Sequence, residues 1–168
     1  MKFAAERHVK VIGFRYCNVY GPGETHKLKR MSMIGQLLRQ MLASKNPVIF
    51  KDGNQKRDWV YVKDVVQANM LALQSRPVEP LGRIYNLGSG VATTFNEIIR
   101  TINDVLRDKM GRKVPLETAY IDCPFAAEYQ NFTQCGMEKA KKELGLVIKY
   151  DLRSGIADYL QDLITPSL

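Results

Sequence analysis

Val11-Ile12-Gly13-Phe14-Arg15-Tyr16-Cys17-Asn18-Val19-Tyr20-Gly21-Pro22-Gly23 is a nearly continuous apolar and aromatic run closed by a glycine-proline-glycine stop. A run of this kind reads as one strand, residues 11 to 20, buried on both faces of a parallel sheet. The segment after it then leaves from the strand's carboxyl end, the edge where open α/β sheets bind ligands. Asn18, Val19 and the polar stretch Glu24-Thr25-His26-Lys27 fall at that edge.

Working outward, Ile34, Leu37, Leu38 and Met41 are spaced three and four apart, which predicts a helix that stops before Asn46-Pro47. Val48-Ile49-Phe50 reads as a short strand closed by the turn pair Asp52-Gly53. Trp59 to Val62 is an extended segment, and Asp64 is expected to cap a helix carrying Val65, Ala68, Ala72 and Leu73 that ends before Pro77. Ile84-Tyr85-Asn86-Leu87 is a second buried strand, stopped by Gly88-Ser89-Gly90. That glycine pair reads as a strand-to-helix turn rather than a phosphate loop. Thr94 with Glu97 forms a capping box for a helix bearing Phe95, Ile98, Ile99, Ile102, Val105 and Leu106. Val114 to Ala119 is a last strand, followed by helices around 135 to 144 and 153 to 163, the latter with Ile156, Tyr159, Leu160 and Leu163 on one face. Alternating strands and helices give an α/β class. The strands are too few for a complete doubly wound domain.

The 168 residues, 45% apolar and 25% charged, suffice for a packed core. No apolar run reaches the roughly 18 residues of a membrane span, and no secretory leader is visible, so the expected address is cytoplasmic, with no membrane partner. Cys17, Cys123 and Cys135 are odd in number and lack metal spacing, which argues against a disulfide framework. With only His8 and His26 beside them, no metal site is expected. The net charge of +8 suits an acidic partner, or solvated helix faces on which Glu138 meets Lys142 and Lys139 meets Glu143. Nucleic acid is not expected, because the basic residues are not interleaved with aromatics as a stacking platform requires.

Gly13-Phe14-Arg15-Tyr16, Asn18-Val19-Tyr20-Gly21-Pro22, Arg57-Asp58-Trp59-Val60-Tyr61-Val62-Lys63-Asp64-Val65 and Tyr85-Asn86-Leu87-Gly88-Ser89-Gly90 together resemble the extended short-chain dehydrogenases/reductases, the NAD-dependent epimerase/dehydratase family. Glu24-Thr25-His26-Lys27 with Met31-Ser32-Met33, and Glu128 to Gln134, are most similar to the ADP-heptose 6-epimerases within it. Two departures stand out: Leu28 where those enzymes usually have glycine, and Cys135-Gly136 where Ala-Asp is usual. The sequence holds no Gly-rich dinucleotide fingerprint and no Tyr-x-x-x-Lys pair. The resemblance therefore implies a C-terminal part of a Rossmann-like fold: the last sheet strands plus the small α/β substrate-binding domain, as one portion over residues 1–168. It also implies a chain inactive in isolation.

The resemblance further implies an epimerase that removes hydride from a sugar carbon to NAD or NADP and returns it to the opposite face, its product serving lipopolysaccharide and other heptose glycans. Lys27 would be a catalytic acid/base, a role that asks burial or cationic neighbours such as Lys29 and Arg30 to lower a pKa ordinarily near about 10.4. Val19 would meet the nicotinamide end of the cofactor. Asn18, Lys29, Gln36, Phe50, Asp52, Gly53 and Tyr129 would contact the nucleotide-sugar, and Asn18 offers donor and acceptor to a hydroxyl. Arg57 is the diphosphate anchor, since a guanidinium presents a charged fork to phosphate; the competing use is a salt bridge to Asp58 or Asp64. The alternative functions are a UDP-hexose 4-epimerase or sugar dehydratase, or a non-catalytic binding or interaction protein. The partners are a nucleotide-diphosphate sugar and either a second copy or a complementing N-terminal half that covers an open sheet edge.

Overall fold

The computed structural model describes residues 2–76 and 82–165; the expected stop at Pro77 lies outside them. After helix α1 (Lys2–Arg7), the apolar run divides at Cys17 into β1 (Val11–Tyr16) and β2 (Asn18–Tyr20), which join different sheets. β1 runs parallel to β5 (Gly82–Leu87), in register from Val11 against Gly82 to Tyr16 against Leu87. β2 runs parallel to β4 (Lys56–Tyr61), Asn18 against Trp59, and β4 also pairs antiparallel with β6 (Ala92–Thr94). A third small sheet pairs β3 (Val48–Phe50) with β7 (Ala119–Ile121) in parallel.

The reading of residues 11 to 20 as one doubly buried strand is corrected by this division. β1 is half-buried, with Arg15 and Tyr16 exposed. Its neighbour β5 alternates: Tyr85 and Leu87 face a core with Ala68, Met137, Ala140, Leu144 and Leu146, while Ile84 and Asn86 face outward. Alternation with period two is what one covered face produces.

The larger core joins α2 (Met33–Leu42), α4 (Phe95–Met110) and α6 (Leu152–Ile164) to the aromatic side chains of β2 and β4. Ile34, Leu37, Leu38 and Met41 are buried as their spacing predicts, and so are Ile98, Ile102, Leu106, Ile156, Tyr159 and Leu160. The capping box at Thr94 and Glu97 is present, and α4 ends on Gly111 in the left-handed conformation. Asp151 caps α6 by accepting from Ser154 N at 2.7 Å. These cap hydrogen bonds hold the Glu97 and Asp151 carboxyls below their usual range. A depressed folded-state pKa stabilises above the unfolded value and loses that contribution as pH falls through the folded one. Thermal melts followed by circular dichroism should therefore show Tm flat from neutrality to about pH 5 and declining below about pH 4.

Five local expectations change. Asp64 does not cap α3 (Val62–Gln74): it is buried inside the first turn and accepts from Lys149 N and Tyr150 N at 2.9 and 3.1 Å. The last strand lies at Ala119–Ile121, where β3 offers a partner, rather than over 114 to 119, and α5 spans only Glu138–Leu144. On α5, Glu143 turns to Arg83 and the Tyr85 hydroxyl, and Lys139 donates to Ile84 O at 3.0 Å, so tertiary partners replace the expected Lys139–Glu143 pair. Finally, Cys17 and Cys135 form a disulfide across 118 residues of sequence, leaving Cys123 free. Counting and spacing could not find that pair, because the fold alone brings the β1–β2 joint beside the segment before α5.

Candidate functional site

The site is organised by β4, whose successive residues turn to opposite sides of the strand. Asp58 is fully buried. Its Oδ1 accepts from Ser89 N (2.6 Å) and Ser89 Oγ (2.8 Å), and its Oδ2 from Gly90 N (3.0 Å) and Cys135 N (2.9 Å). The Gly88-Ser89-Gly90 turn thus wraps an internal carboxylate with the amides that a phosphate loop would turn to a ligand. Gly88 is required there, since a Cβ would sit 2.6 Å from Asp58 Oδ2 and 2.7 Å from Cys135 Cβ.

With Asp58 engaged by Ser89, Gly90 and Cys135, and Asp64 by the 149–150 amides, neither pairs with Arg57. The Arg57 guanidinium donates one hydrogen bond to Lys56 O (2.9 Å) and lies 5.1 Å from the Tyr129 ring centroid. Among the described residues it has no carboxylate partner. Tyr129 stands edge-on to Phe50 at 5.4 Å, Phe50 edge-on to Phe125 at 5.7 Å, and Phe125 lies 5.9 Å from Tyr129. Beside this trio opens a cleft of about 210 Å³, lined chiefly by Met33, Ile49, Phe50, Phe95, Ile121 and Tyr129. An apolar slot with one cation at its rim can take a flat ring carrying an anionic group.

The turn after Phe50 leads to Gln55, which also lines the cleft. Gly53 N donates to Phe50 O, and Asn96 Nδ2 donates to Asp52 O at 3.0 Å, which ties the turn to the start of α4. The Lys51–Asp52 peptide is cis. Asp52 folds onto Asn54, whose amides hold its carboxyl below the usual range. Asn18 sits one strand away and donates from Nδ2 to Asp58 O at 2.9 Å, a use that joins β2 to β4.

Lys27 lies elsewhere, in a 3-10 helix (Thr25–Arg30) that is exposed throughout. Its ammonium has no hydrogen-bond or ion-pair partner among the described residues, and Lys29 and Arg30 share its turn. The loop is anchored behind it by buried Glu24, which accepts from Ser32 N (2.8 Å), Ser32 Oγ (2.6 Å) and the Tyr159 hydroxyl (3.1 Å). Gln36 donates to Lys29 O and Met31 O at 3.3 and 2.8 Å, so it holds this loop in place. Lys29 and Gln36 line a separate cleft with Leu28, Met31 and Arg39.

Leu28 adopts φ 50° and ψ −115°, a conformation glycine reaches without strain. It is 70% exposed, so its side chain returns little burial energy. Leu28→Gly is therefore expected to raise stability by about 0.5–1 kcal/mol in urea melts, the relief of strain exceeding glycine's added unfolded-state entropy.

The structure thus brings Phe50, Asp52, Gly53, Arg57 and Tyr129 to one place, with Asn18 nearby, and puts Lys27, Lys29 and Gln36 on a second loop. Val19, half-buried on β2, pairs with Val60. Sequence reasoning missed Phe125, Asp58 and Glu24. The signal for Phe125 was its place four residues before Tyr129; Asp58 carried none, because its partners lie 31 or more residues away, and Glu24 meets Ser32 within its own loop but Tyr159 only through the fold.

The family model for the NAD dependent epimerase/dehydratase family matches residues 1–88. Among solved structures, the ADP-L-glycero-D-manno-heptose-6-epimerase of Helicobacter pylori is 35% identical, with 95% of this chain and 46% of that one covered, at a TM-score of 0.75. The UDP-glucose 4-epimerase of Thermotoga maritima, solved with UDP-glucose, is 28% identical, with 96% and 48% covered, at a TM-score of 0.81. The chain spans about half the length of these structures. The mixed α/β architecture with short parallel sheets is that of the Rossmann-like epimerases. With residues 1–88 of 168 matched, the chain belongs to the NAD dependent epimerase/dehydratase family.

Proposed function

We propose that this chain, as one portion over residues 1–168, is the nucleotide-sugar-binding part of an NAD- or NADP-dependent epimerase, with an ADP-heptose as its sugar nucleotide. One observation carries the reading: the Arg57 guanidinium, which has no carboxylate partner among the described residues, lies over Tyr129 beside an aromatic cleft. The cleft accepts the base, Arg57 the diphosphate, and Asp52, Gly53 and Asn18 the polar groups between. Lys27 and Lys29, on a loop anchored by Glu24 and Gln36, reach the sugar, where Lys27 exchanges a proton with the hydroxyl oxygen on the epimerised carbon while the carbon gives its hydride to the nicotinamide. The identity of 35% to a heptose epimerase, against 28% for the UDP-glucose enzyme, supports the ADP-sugar.

The described residues do not by themselves fit a dinucleotide. Of the glycine-bracketed turns after parallel strands, Gly88 to Gly90 gives its Ser89 and Gly90 amides to Asp58, and Gly21 to Gly23 has at its centre a proline, which carries no amide hydrogen. Val19 and Asn18, at the sheet's ligand edge, are this chain's contribution to the nicotinamide side. Because the sequence lacks a Tyr-x-x-x-Lys pair, we expect the chain alone to bind without turnover and to work with a complementing polypeptide or a second copy.

A second reading, a UDP-hexose 4-epimerase portion, draws on the higher TM-score of 0.81. Calorimetric titration with ADP-sugar, UDP-sugar and NADP at low and high salt separates them. Selective ADP-sugar binding, weakened by salt and requiring Arg57, is the expected result; preference for UDP-sugar selects the second reading, and binding of neither sinks both.

A further inference from the structure

We propose that Cys17 and Cys135 form a thiol–disulfide exchange site that latches the 122–137 segment over the cleft, with a low-molecular-weight disulfide of the glutathione type as oxidant and the matching thiol as reductant. Both cysteines are half-buried, so a small thiol can reach them. The bond joins two structures remote in sequence. Cys17 is the joint between β1 and β2 and donates from its amide to Leu87 O at 2.8 Å. Cys135 closes the stretch between β7 and α5, which has no helix or strand and only one isolated bridge, Phe132 to Lys56.

That stretch carries Phe125 and Tyr129, the outer wall of the aromatic trio. It is attached to β4 by few bonds: Lys56 N to Asn131 O (2.8 Å), Thr133 N to Lys56 O (3.1 Å) and Cys135 N to Asp58 Oδ2 (2.9 Å). Beyond its peptide link to β7, the disulfide is its covalent tie to the sheets. Such weakly bonded segments occupy the low-stability end of a fold, where a single cross-link changes the open population most. Asp58 lies with both sulfurs within 4.8 Å. Its two oxygens already accept four hydrogen bonds, which favours a redox pair over a metal centre.

The chemistry balances without a further reactant. One cysteine thiolate attacks the small disulfide and expels one thiol, giving a mixed disulfide. The second cysteine attacks the protein sulfur of that intermediate and expels the second thiol. Two protein thiols are oxidised, and two electrons reduce the small disulfide to two thiols. Pairs of this kind in thiol-rich compartments are transient and redox-sensing.

The test uses the full chain equilibrated with oxidised or reduced glutathione. Iodoacetamide labelling read by mass spectrometry should give one adduct, at Cys123, in the oxidised form and three in the reduced form. Chymotryptic cleavage at Phe125 and Tyr129 should be about tenfold faster after reduction, because the segment opens more often. The double substitution Cys17→Ser with Cys135→Ser should cleave at the reduced rate under both conditions, and Cys123→Ser should switch like the parent. Three adducts after oxidation, or cleavage rates equal within about twofold, would overturn the latch. The consequence for affinity rests on the reading of the cleft as a nucleotide-sugar site, with reduced protein binding about five- to tenfold more weakly. Cleavage that switches while neither form binds a nucleotide-sugar upholds the latch and rejects that reading instead.

Discussion

Asp58→Ala is expected to cost about 3–5 kcal/mol of folding stability, a large part of the roughly 5–15 kcal/mol that holds a domain together. The carboxylate accepts four hydrogen bonds from three donor residues. Removing it leaves the half-buried amides of Ser89, Gly90 and Cys135 without the acceptor that the fully buried carboxylate supplies, and each orphaned donor costs about 1–3 kcal/mol, not additively. Asp58→Asn keeps the volume but turns an NH2 toward donors, so most of the loss should remain. Urea unfolding by fluorescence of Trp59, the next residue on β4, reads both variants. A loss below about 1 kcal/mol would show that the turn does not depend on its carboxylate. The same substitutions should loosen the 122–137 segment even with the disulfide intact, since Cys135 N loses its partner.

Arg57→Ala should weaken nucleotide-sugar binding about 30- to 100-fold, equivalent to about 2–3 kcal/mol, with little effect on stability. The asymmetry follows from the geometry. Arg57 gives the fold one hydrogen bond, to the adjacent carbonyl, and a ring contact with Tyr129, whereas a diphosphate would take its charged fork. Arg57→Lys keeps the charge and loses the fork, so it should recover only part of the affinity. Raising salt should reduce the wild-type affinity more than that of the alanine variant. Unchanged binding in Arg57→Ala would remove the anchor from the reading of the cleft.

Much of this was legible residue by residue. The apolar spacing at Ile34 to Met41 and Phe95 to Leu106, the Thr94–Glu97 box and the turns at Asp52-Gly53 and Gly88 to Gly90 involve residues within a turn or two of one another. A pattern of that range is decided by local geometry and survives whatever surrounds it. The resemblance named Arg57 and Tyr129 separately as ligand contacts; that the two stand together, and that Asp58 and Asp64 are engaged elsewhere, only the fold shows.

What the amino-acid sequence by itself determined was the α/β class, most of the helices and their buried faces, the family, and Phe50 and Tyr129 among the residues lining the cleft. Tertiary structure alone decided that residues 11 to 20 serve two sheets, that Asp58 and Asp64 hold distant backbone amides, that Glu24 anchors the Lys27 loop, and that Cys17 reaches Cys135. Those pairings span 31 residues for Asp58 to Ser89, 85 for Asp64 to Lys149 and 118 for the disulfide. Their energy comes from burying polar groups and sulfur at points that exist only once the sheets have been assembled. No local pattern encodes such a point, because the partner that makes burial favourable is supplied by topology.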